Sequence, residues 1–283
     1  MTVFELYNFC KEELKNAGKD DFESEAELIS RNVLKLDRTA FLLEKDNNAD
    51  VGAIAEAQRI VEKRKSGMPL QYILGEWDFY GETYKVGEGV LIPRPETEEL
   101  CSLVIEKLKK MHSPSVFDLC SGSGCIGITL KKNVPDANVY LVEYFDAAIA
   151  YLNENRMNLG VARSVPAIKG NVLDGYEKFA FLPRPDVLVS NPPYIKKNEL
   201  LSLQKEVQNE PLSALDGGED GLDFYRALAE KWLPFVNKNG ILAVECGEEQ
   251  AEEVAKMFSK HSSGISIIKD FNGIDRFVIA EKG

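Results

Sequence analysis

The four residues Asn191-Pro192-Pro193-Tyr194 are the segment of this sequence best suited to hold a reacting group. Two consecutive prolines fix their own φ angles and push the preceding residue into an extended conformation, so the segment is stiff before anything binds. The Asn191 side-chain oxygen and the Pro192 carbonyl can each accept one hydrogen of a planar NH2 group, and Tyr194 offers a flat face to cover it. Such a clamp would orient an amide or aromatic amine for transfer of a group to its nitrogen.

A second segment, Asp118-Leu119-Cys120-Ser121-Gly122-Ser123-Gly124, joins a predicted strand to a predicted helix. With Gly127 it fits the pattern G-x-G-x-x-G, and Glu143 follows at the spacing at which an acid binds ribose hydroxyls. Nicotinamide cofactors and S-adenosylmethionine both contain such a ribose, and a tight turn without any ligand is a third interpretation. Asp118 would repel a pyrophosphate but suits an amino group and a sulfonium, which favours S-adenosylmethionine.

Both segments follow strands of a predicted doubly wound α/β sheet, because helical and apolar stretches alternate from Glu96 onward. The last two predicted strands flank a short turn at Asn272-Gly273, which indicates an antiparallel hairpin at the end of the sheet. The predicted strands are Ser115 to Leu119, Asn138 to Val142, Val165 to Lys169, Asp186 to Ser190, Ile241 to Glu245, Gly264 to Lys269 and Arg276 to Ala280.

The residues before this sheet divide into two further parts. Residues 1–72 carry apolar side chains at three- and four-residue intervals and predict a small helical bundle. Residues 73–95 are rich in aromatic residues and glycine and predict a β-hairpin linker. We therefore expect a helical bundle that recognises the substrate, a linker, and a catalytic domain at residues 96–283.

The composition of the chain indicates which partners and which cellular compartment we expect. The net charge is −12, with 34 basic and 46 acidic residues, which disfavours an extended nucleic-acid groove because such a groove neutralises many phosphates. The five cysteines contain no C-x-x-C pair and the two histidines lie in polar surroundings, so we expect reduced thiols and no metal site. No apolar run approaches the roughly 18 residues of a membrane span, and we expect a cytoplasmic protein without membrane contact.

Several motifs along nearly the whole chain resemble the release-factor glutamine methyltransferases. Besides the two segments above, they are Pro69-Leu70-Gln71-Tyr72-Ile73-Leu74-Gly75, Leu91-Ile92-Pro93-Arg94-Pro95-Glu96-Thr97-Glu98, Glu210-Pro211, Ala214-Leu215-Asp216-Gly217-Gly218 and Asp220-Gly221-Leu222. The resemblance implies a seven-stranded class I (Rossmann-like) methyltransferase sheet with an antiparallel C-terminal hairpin, preceded by an N-terminal helical bundle. It also implies S-adenosylmethionine as cofactor and peptide chain release factors as partners, methylated on the glutamine of a Gly-Gly-Gln motif.

The resemblance further assigns roles to individual residues. Asn191 and the Pro192 carbonyl would hold the glutamine amide with Tyr194 beside it, the loop Cys120 to Gly124 would wrap the methionine part of the cofactor, and Glu143 would bind its ribose. The sequence departs from the family at Asn171, where an acidic residue is expected against the adenine, and at Val172, which is often aromatic.

Some alternatives stay open at this point. A nucleic-acid adenine or guanine amino methyltransferase would meet the same planar NH2 group at Asn191, a non-catalytic adaptor would use only the helical bundle, and a nicotinamide dehydrogenase would use the glycine loop. Arg94 and Glu96 are either linker ion-pair partners or part of the substrate channel. Gly217, Gly218 and Gly221 indicate either a mobile flap or an ordinary loop.

Overall fold

The first of two structural units in this protein is helical. The structure, a computed structural model, covers residues 1–283, and unit 1 takes residues 1–75 together with the short segment Gln204–Asn209. A buried apolar cluster that includes Leu6, Ile29 and Ile60 holds the unit together. Its first five helices are α1 (Val3–Asn16), α2 (Phe22–Leu34), α3 (Arg38–Leu43), α4 (Val51–Lys65) and α5 (Leu70–Leu74).

Unit 2 contains residues 76–203 and 210–283 and has all nine strands of the protein. Two of them form a separate antiparallel hairpin, β1 (Glu76–Phe79) and β2 (Glu82–Lys85). The other seven strands are β3 (Ser115–Leu119), β4 (Asn138–Glu143), β5 (Ala167–Lys169), β6 (Val187–Ser190), β7 (Ile241–Glu245), β8 (Gly264–Lys269) and β9 (Asp275–Glu281).

These seven strands form one sheet in the order β5-β4-β3-β6-β7-β9-β8. β3 to β7 are parallel, whereas β9 runs antiparallel to both β7 and β8. The predicted sheet and its antiparallel terminal hairpin are therefore confirmed, with strand ends that differ from the prediction by at most two residues. The chain order reverses between β3 and β6, which leaves a crevice at their carboxyl ends.

Helices cover both faces of this sheet. Side chains along each strand alternate between two buried clusters, so that Val187 and Val189 of β6 enter one cluster and Leu188 enters the other. The α-helices of unit 2 are α6 (Pro95–Leu108), α7 (Cys125–Asn133), α8 (Asp146–Asn158), α10 (Leu212–Leu215), α11 (Asp223–Ala227) and α12 (Ala251–Phe258), and α9 (Lys205–Gln208) belongs to unit 1. No helix combines the length and the apolar character needed to cross a bilayer.

A buried ion-pair cluster in unit 1 joins α4 to the segment 204–209. The Arg64 side chain is only 8% exposed; its Nε lies 2.9 Å from a Glu25 oxygen and its Nη1 lies 2.8 Å from Glu206, which Lys19 also contacts at 2.7 Å. Burial raises the pKa of Glu206, but the hydrogen bonds from Lys19 and Arg64 outweigh burial and lower that pKa to about 2. Arg64 therefore links α4 to α2 and to the segment 204–209.

We expect Arg64→Ala to lower the free energy of unfolding by about 3 kcal/mol, because it leaves two carboxylates without their shared cation. Arg59→Ala is the matched control on the same helix, since Arg59 is exposed and pairs only with the neighbouring Glu56. Urea unfolding followed by circular dichroism measures both variants. If the two arginine variants unfolded at the same urea concentration, the buried cluster would not contribute as we expect.

Candidate active site

A cavity of about 380 Å³ lies at the carboxyl ends of β3, β4 and β6, where the strand order reverses. Its wall contains most of the residues that the sequence predicted for a site, together with residues of the segments 89–97 and 213–224. The predicted residues in the wall are Cys120, Ser121, Gly122, Ser123, Glu143, Asn171, Val172, Asn191 and Pro193. The predicted residues outside the wall are Asp118, Gly124, Pro192 and Tyr194.

The loop after β3 is a tight turn that leads into α7. Cys120, Gly122 and Gly124 all have positive φ, of 60°, 54° and 82°, and the Gly124 N–H donates to the Ser121 carbonyl at 2.7 Å. A side chain at Gly127 would meet Leu141 at 2.2 Å, so the absence of one lets α7 pack against β4. The turn therefore brings bare backbone to the cavity wall, which a ligand can approach closely.

Asp118 lies behind this loop. Its side chain is fully buried, one carboxylate oxygen accepts the Gly127 N–H at 2.9 Å, and the other oxygen has no hydrogen-bond partner. Burial raises the pKa of Asp118 to about 7, despite the hydrogen bond from Gly127. In the structure Asp118 supports the first turn of α7 rather than the cavity wall, and direct contact with the cofactor amino group stays a prediction.

Glu143 is held in the cavity wall by three backbone donors. One oxygen accepts the N–H of Gly122 at 2.9 Å, and the other accepts the N–H groups of Tyr144 at 2.7 Å and Phe145 at 2.9 Å. A carboxylate oxygen has two lone pairs, so one lone pair is left for a hydroxyl hydrogen, on the oxygen that accepts the Gly122 N–H. The carboxylate is therefore oriented before a ligand binds and ties the end of β4 to the glycine loop.

The two positions that depart from the family pattern lie in the cavity wall shortly after the end of β5. The Asn171 side-chain oxygen accepts the N–H of Leu173 at 2.9 Å and caps a short 3-10 helix at Val172–Asp174. One lone pair of that oxygen is therefore used by the backbone. Val172 is 3% exposed and packs in the core beneath the cavity.

The Asn-Pro-Pro-Tyr segment leaves the end of β6 at the cavity. Asn191 is partly buried, and its Nδ2 donates to the Thr97 hydroxyl at 3.1 Å, whereas no donor of the chain reaches its Oδ1. Both prolines are buried, and the Pro192 carbonyl accepts no hydrogen bond within the chain. Burial raises the pKa of Tyr194 to about 12, so its phenol keeps its proton at neutral pH. Neither oxygen is thus used by a hydrogen bond within the chain, and Asn191 is the one of the two residues that lines the cavity.

The residues after Tyr194 are hydrogen-bonded to the glycine-rich loop at 215–221. The Ile195 N–H donates to the Leu215 carbonyl at 2.9 Å, and the Gly217 N–H returns a bond to the Ile195 carbonyl at 2.9 Å. The Gln250 amide closes the arrangement by donating to the carbonyl oxygens of Tyr194 at 2.9 Å and Gly221 at 3.3 Å. This loop is therefore fixed to the Asn-Pro-Pro-Tyr segment by main-chain bonds.

Glu210 lies just before α10, the short helix that leads into that loop. Its carboxylate is buried, accepts the Ile92 N–H at 3.0 Å and forms an ion pair with Arg94. Arg94 is therefore an ion-pair partner and also lines the cavity, and its role in a substrate channel stays a prediction. The segment before α6 and the glycine-rich loop are joined beside the cavity.

We expect Gly221→Ala to be more harmful than a glycine substitution at an open turn. A Cβ atom at Gly221 would lie 2.4 Å from the Tyr194 carbonyl oxygen, whereas one at Gly273 would meet nothing within 4 Å. Both residues have positive φ, 77° and 82°, so Gly273→Ala controls for backbone strain. We expect Gly221→Ala to lower the free energy of unfolding by about 1 to 3 kcal/mol more than Gly273→Ala in urea unfolding. Equal losses would mean that the contact with Tyr194 can relax.

Proteins of known family have sequences similar to this one. The release factor glutamine methyltransferase of Thermodesulfovibrio yellowstonii is 37% identical over 91% of this chain and 92% of its own length, and that of Bacillus cereus is 36% identical over 99% of both. The chain belongs to the release factor glutamine methyltransferase family. Its family profiles match in two places, a PrmC N-terminal domain at residues 5–75 and a methyltransferase small domain at residues 97–218.

A solved structure has the same fold. The solved structure of a methyltransferase from Pyrococcus furiosus superposes with a TM-score of 0.54, covering 81% of this chain and 99% of that chain, at 18% identity. The family resemblance drawn from the motifs is therefore confirmed, as is the methyltransferase fold.

As a member of the release factor glutamine methyltransferase family, this chain is an enzyme that uses S-adenosylmethionine. The cavity suits that cofactor, because the bare glycine loop and the prearranged Glu143 carboxylate share a wall with apolar side chains such as Ile126 and Phe145. Sequence reasoning missed Glu245 beside this wall. A charged residue at the carboxyl end of the otherwise apolar strand β7 was the available signal.

Proposed function

We propose that this enzyme transfers the methyl group of S-adenosylmethionine to the side-chain amide nitrogen of the glutamine in the Gly-Gly-Gln motif of peptide chain release factors. The observation that carries the proposal is that Asn191, with a free Oδ1, lies in the wall of the same cavity as the glycine loop and Glu143. The printed names of the relatives, which are release factor glutamine methyltransferases, support the acceptor.

The clamp would act by position. A glutamine amide presents two N–H hydrogens in one plane, which the Asn191 Oδ1 and the Pro192 carbonyl can accept together. Tyr194, which keeps its phenol proton, would flank the plane and exclude water. When bound, the cofactor supplies an electrophilic methyl group on its sulfonium. The two acceptors would hold the nitrogen lobe above the amide plane in a fixed direction, and such orientation contributes most of the rate enhancement that we assign to the protein.

No side chain needs to remove a proton before the transfer. Asn191 is not a base at neutral pH, and a raised pKa keeps the Tyr194 phenol protonated. An amide nitrogen that has gained a methyl group and a positive charge is strongly acidic, so its proton can leave afterwards to water. We therefore assign positioning roles to Asn191, Pro192, Pro193 and Tyr194 against the acceptor.

We assign cofactor binding to a second group of residues. In this proposal Glu143 binds the ribose hydroxyls, the loop Cys120 to Gly124 surrounds the methionine part, and Asn171 and Val172 lie against the adenine. Asp118 supports the loop through Gly127.

The experiment is incubation of the enzyme with labelled S-adenosylmethionine and a purified release factor, followed by mass spectrometry of the Gly-Gly-Gln peptide. We expect one methyl group on the glutamine, and none when that glutamine is replaced by asparagine, because the shorter side chain does not reach the clamp. Total RNA and DNA are tested in parallel. Label on nucleic acid alone would replace this proposal by an amino methyltransferase of nucleic acid.

We further propose that residues 1–72 contact the release factor outside the Gly-Gly-Gln motif. Unit 1 exposes five large apolar side chains, Met1, Phe4, Leu42, Leu43 and Val51, which is consistent with a protein-binding surface. The KM of a whole release factor should then be lower than that of an isolated Gly-Gly-Gln peptide. Equal KM values for the two substrates would contradict this role.

A further inference from the structure

Two hydrogen bonds in series connect Asn191 to a buried carboxylate. The Asn191 Nδ2 donates to the Thr97 Oγ1 at 3.1 Å, and the Thr97 hydroxyl donates to the Glu245 Oε2 at 2.7 Å. Asn191 and Thr97 both line the cavity, whereas Glu245 does not; Thr97 is 3% exposed and Glu245 is 2% exposed. The connection therefore runs from the cavity wall into the protein interior.

The fold determines this arrangement. β6 and β7 are parallel neighbours whose register pairs Ser190 with Val244, so the next residues, Asn191 and Glu245, leave the two strands at the same level. Thr97 reaches the pair from the first turn of α6, where its N–H donates to the Arg94 carbonyl at 3.1 Å. Three rigid elements thus hold the three side chains.

The available hydrogens determine which group donates and which accepts in each of these two bonds. A threonine hydroxyl has one hydrogen, and an ionised carboxylate can only accept, so the Thr97 hydrogen points to Glu245. The Thr97 oxygen can then offer only a lone pair to Asn191, which must present its NH2 end. The Asn191 Oδ1 is consequently the end of the amide that is left for a ligand.

We infer that Thr97 and Glu245 are positioning residues that keep the Asn191 amide turned with its oxygen toward the acceptor. This inference rests on the proposed function, because a glutamine NH2 group needs acceptors on both sides. An Asn191 amide turned by half a rotation would present its own NH2 group to the substrate NH2 group. Two donors would then face each other, and the acceptor nitrogen would lose one of its two fixed contacts.

The charge of Glu245 decides whether the direction is kept. Burial raises the pKa of Glu245 to about 7, although the Thr97 hydroxyl and the Arg276 guanidinium favour its charged form. A protonated Glu245 could donate a hydrogen bond to the Thr97 oxygen. The Thr97 hydroxyl could then donate its hydrogen to the Asn191 oxygen, with the Asn191 amide turned by half a rotation. Because the ionised form is the one that orients Asn191, we expect kcat to rise with pH as Glu245 ionises.

The groups around Glu245 carry both signs of charge. Arg94 and Arg276 favour ionisation, and Glu96 opposes it. The residues from each neighbouring element that face or interact electrostatically with Glu245 are Arg94, Glu96, Thr97, Cys101, Cys125, Tyr194, Tyr225, Cys246 and Arg276.

The first test compares Thr97→Val with Thr97→Ser. Valine keeps the shape of threonine without the hydroxyl, whereas serine keeps the hydroxyl without the methyl group. We expect Thr97→Val to lower kcat by about 100-fold, as for other misplaced positioning groups, and Thr97→Ser to retain most of the activity. Calorimetry with S-adenosylhomocysteine should give the wild-type Kd for both variants, and thermal unfolding reports whether each is folded.

The second test compares the pH profile of kcat in wild type and in Glu245→Gln. A glutamine can still accept the Thr97 hydrogen through its side-chain oxygen but does not titrate. We expect the decline of kcat below about pH 7 in the wild type to be absent from Glu245→Gln. A decline that persists in this variant would arise from another group, such as Asp118, and would overturn the role of Glu245.

The outcomes separate this inference from the proposed function. A wild-type enzyme that does not methylate release factors overturns the proposed function itself. If the wild type is active and Thr97→Val has the same kcat, only the inference is overturned. Equal losses in the valine and serine variants would assign Thr97 to packing. A higher Kd for S-adenosylhomocysteine with an unchanged kcat would assign Thr97 to cofactor binding. Both of the last two results also overturn the inference.

Discussion

Asn191→Ala should reduce kcat for release-factor methylation by about 100- to 1000-fold, the range found when one prearranged hydrogen-bonding group of an active site is removed. Alanine deletes the Oδ1 acceptor, so the glutamine NH2 group would keep only the Pro192 carbonyl and could rotate out of the reactive orientation. The substituted side chain lies on the cavity wall rather than in the core, and we therefore expect the cofactor Kd and the unfolding temperature to change little. Steady-state kinetics with saturating cofactor measures the effect.

Asn198→Ala is the matched control for this variant. Asn198 has the same chemistry, lies seven positions later in the same connection and is exposed. It should retain wild-type kcat. If Asn191→Ala kept a kcat within a few fold of wild type, the clamp would not be the source of catalysis and the proposed mechanism would fail.

Glu143→Ala should raise the Kd for S-adenosylhomocysteine by about 10- to 100-fold, because a hydrogen bond to a charged group contributes about 1.5 to 3 kcal/mol and the ribose bond would be lost. The substitution also removes the acceptor for the N–H groups of Gly122, Tyr144 and Phe145. The glycine loop then keeps the bond from the Ser121 N–H to the Val142 carbonyl but loses the one through Gly122. Isothermal titration calorimetry measures the affinity directly.

Glu143→Gln separates the two contributions. Glutamine can still accept through one oxygen but presents an NH2 group to the backbone donors on its other side, so we expect an affinity between those of wild type and Glu143→Ala. An alanine variant that bound S-adenosylhomocysteine as tightly as the wild type would show that the ribose is held elsewhere.

Much of this fold could be predicted because its strands are short and buried. The parallel strand β7 is an apolar run that ends at Glu245, and such runs between helical stretches indicate a sheet covered on both faces. The site loops could be predicted as well, since their residues follow directly from the ends of β3 and β6. Both predictions depend only on residues that are close together in the sequence.

The contacts between distant parts of the chain could not be predicted in this way. Thr97 bonds to Asn191 across 94 positions and to Glu245 across 148, and no local periodicity encodes which strands lie side by side. The position of the Asp118 side chain, in contrast, could have been predicted from the sequence. Alternation along β3 puts its side chain on the same face as Val116, on the side that α7 covers, and away from the open end of the strand.

The segment 204–209 has a consequence for how this protein could be divided. Because six residues from the second half of the chain complete unit 1 and supply Glu206 to Arg64 and Lys19, no single cut separates the two units into intact halves. A protease fragment or a gene truncation ending after Gly75 would carry Arg64 without one of its two carboxylates. Unit 1 is therefore complete only in a chain that extends through residue 209.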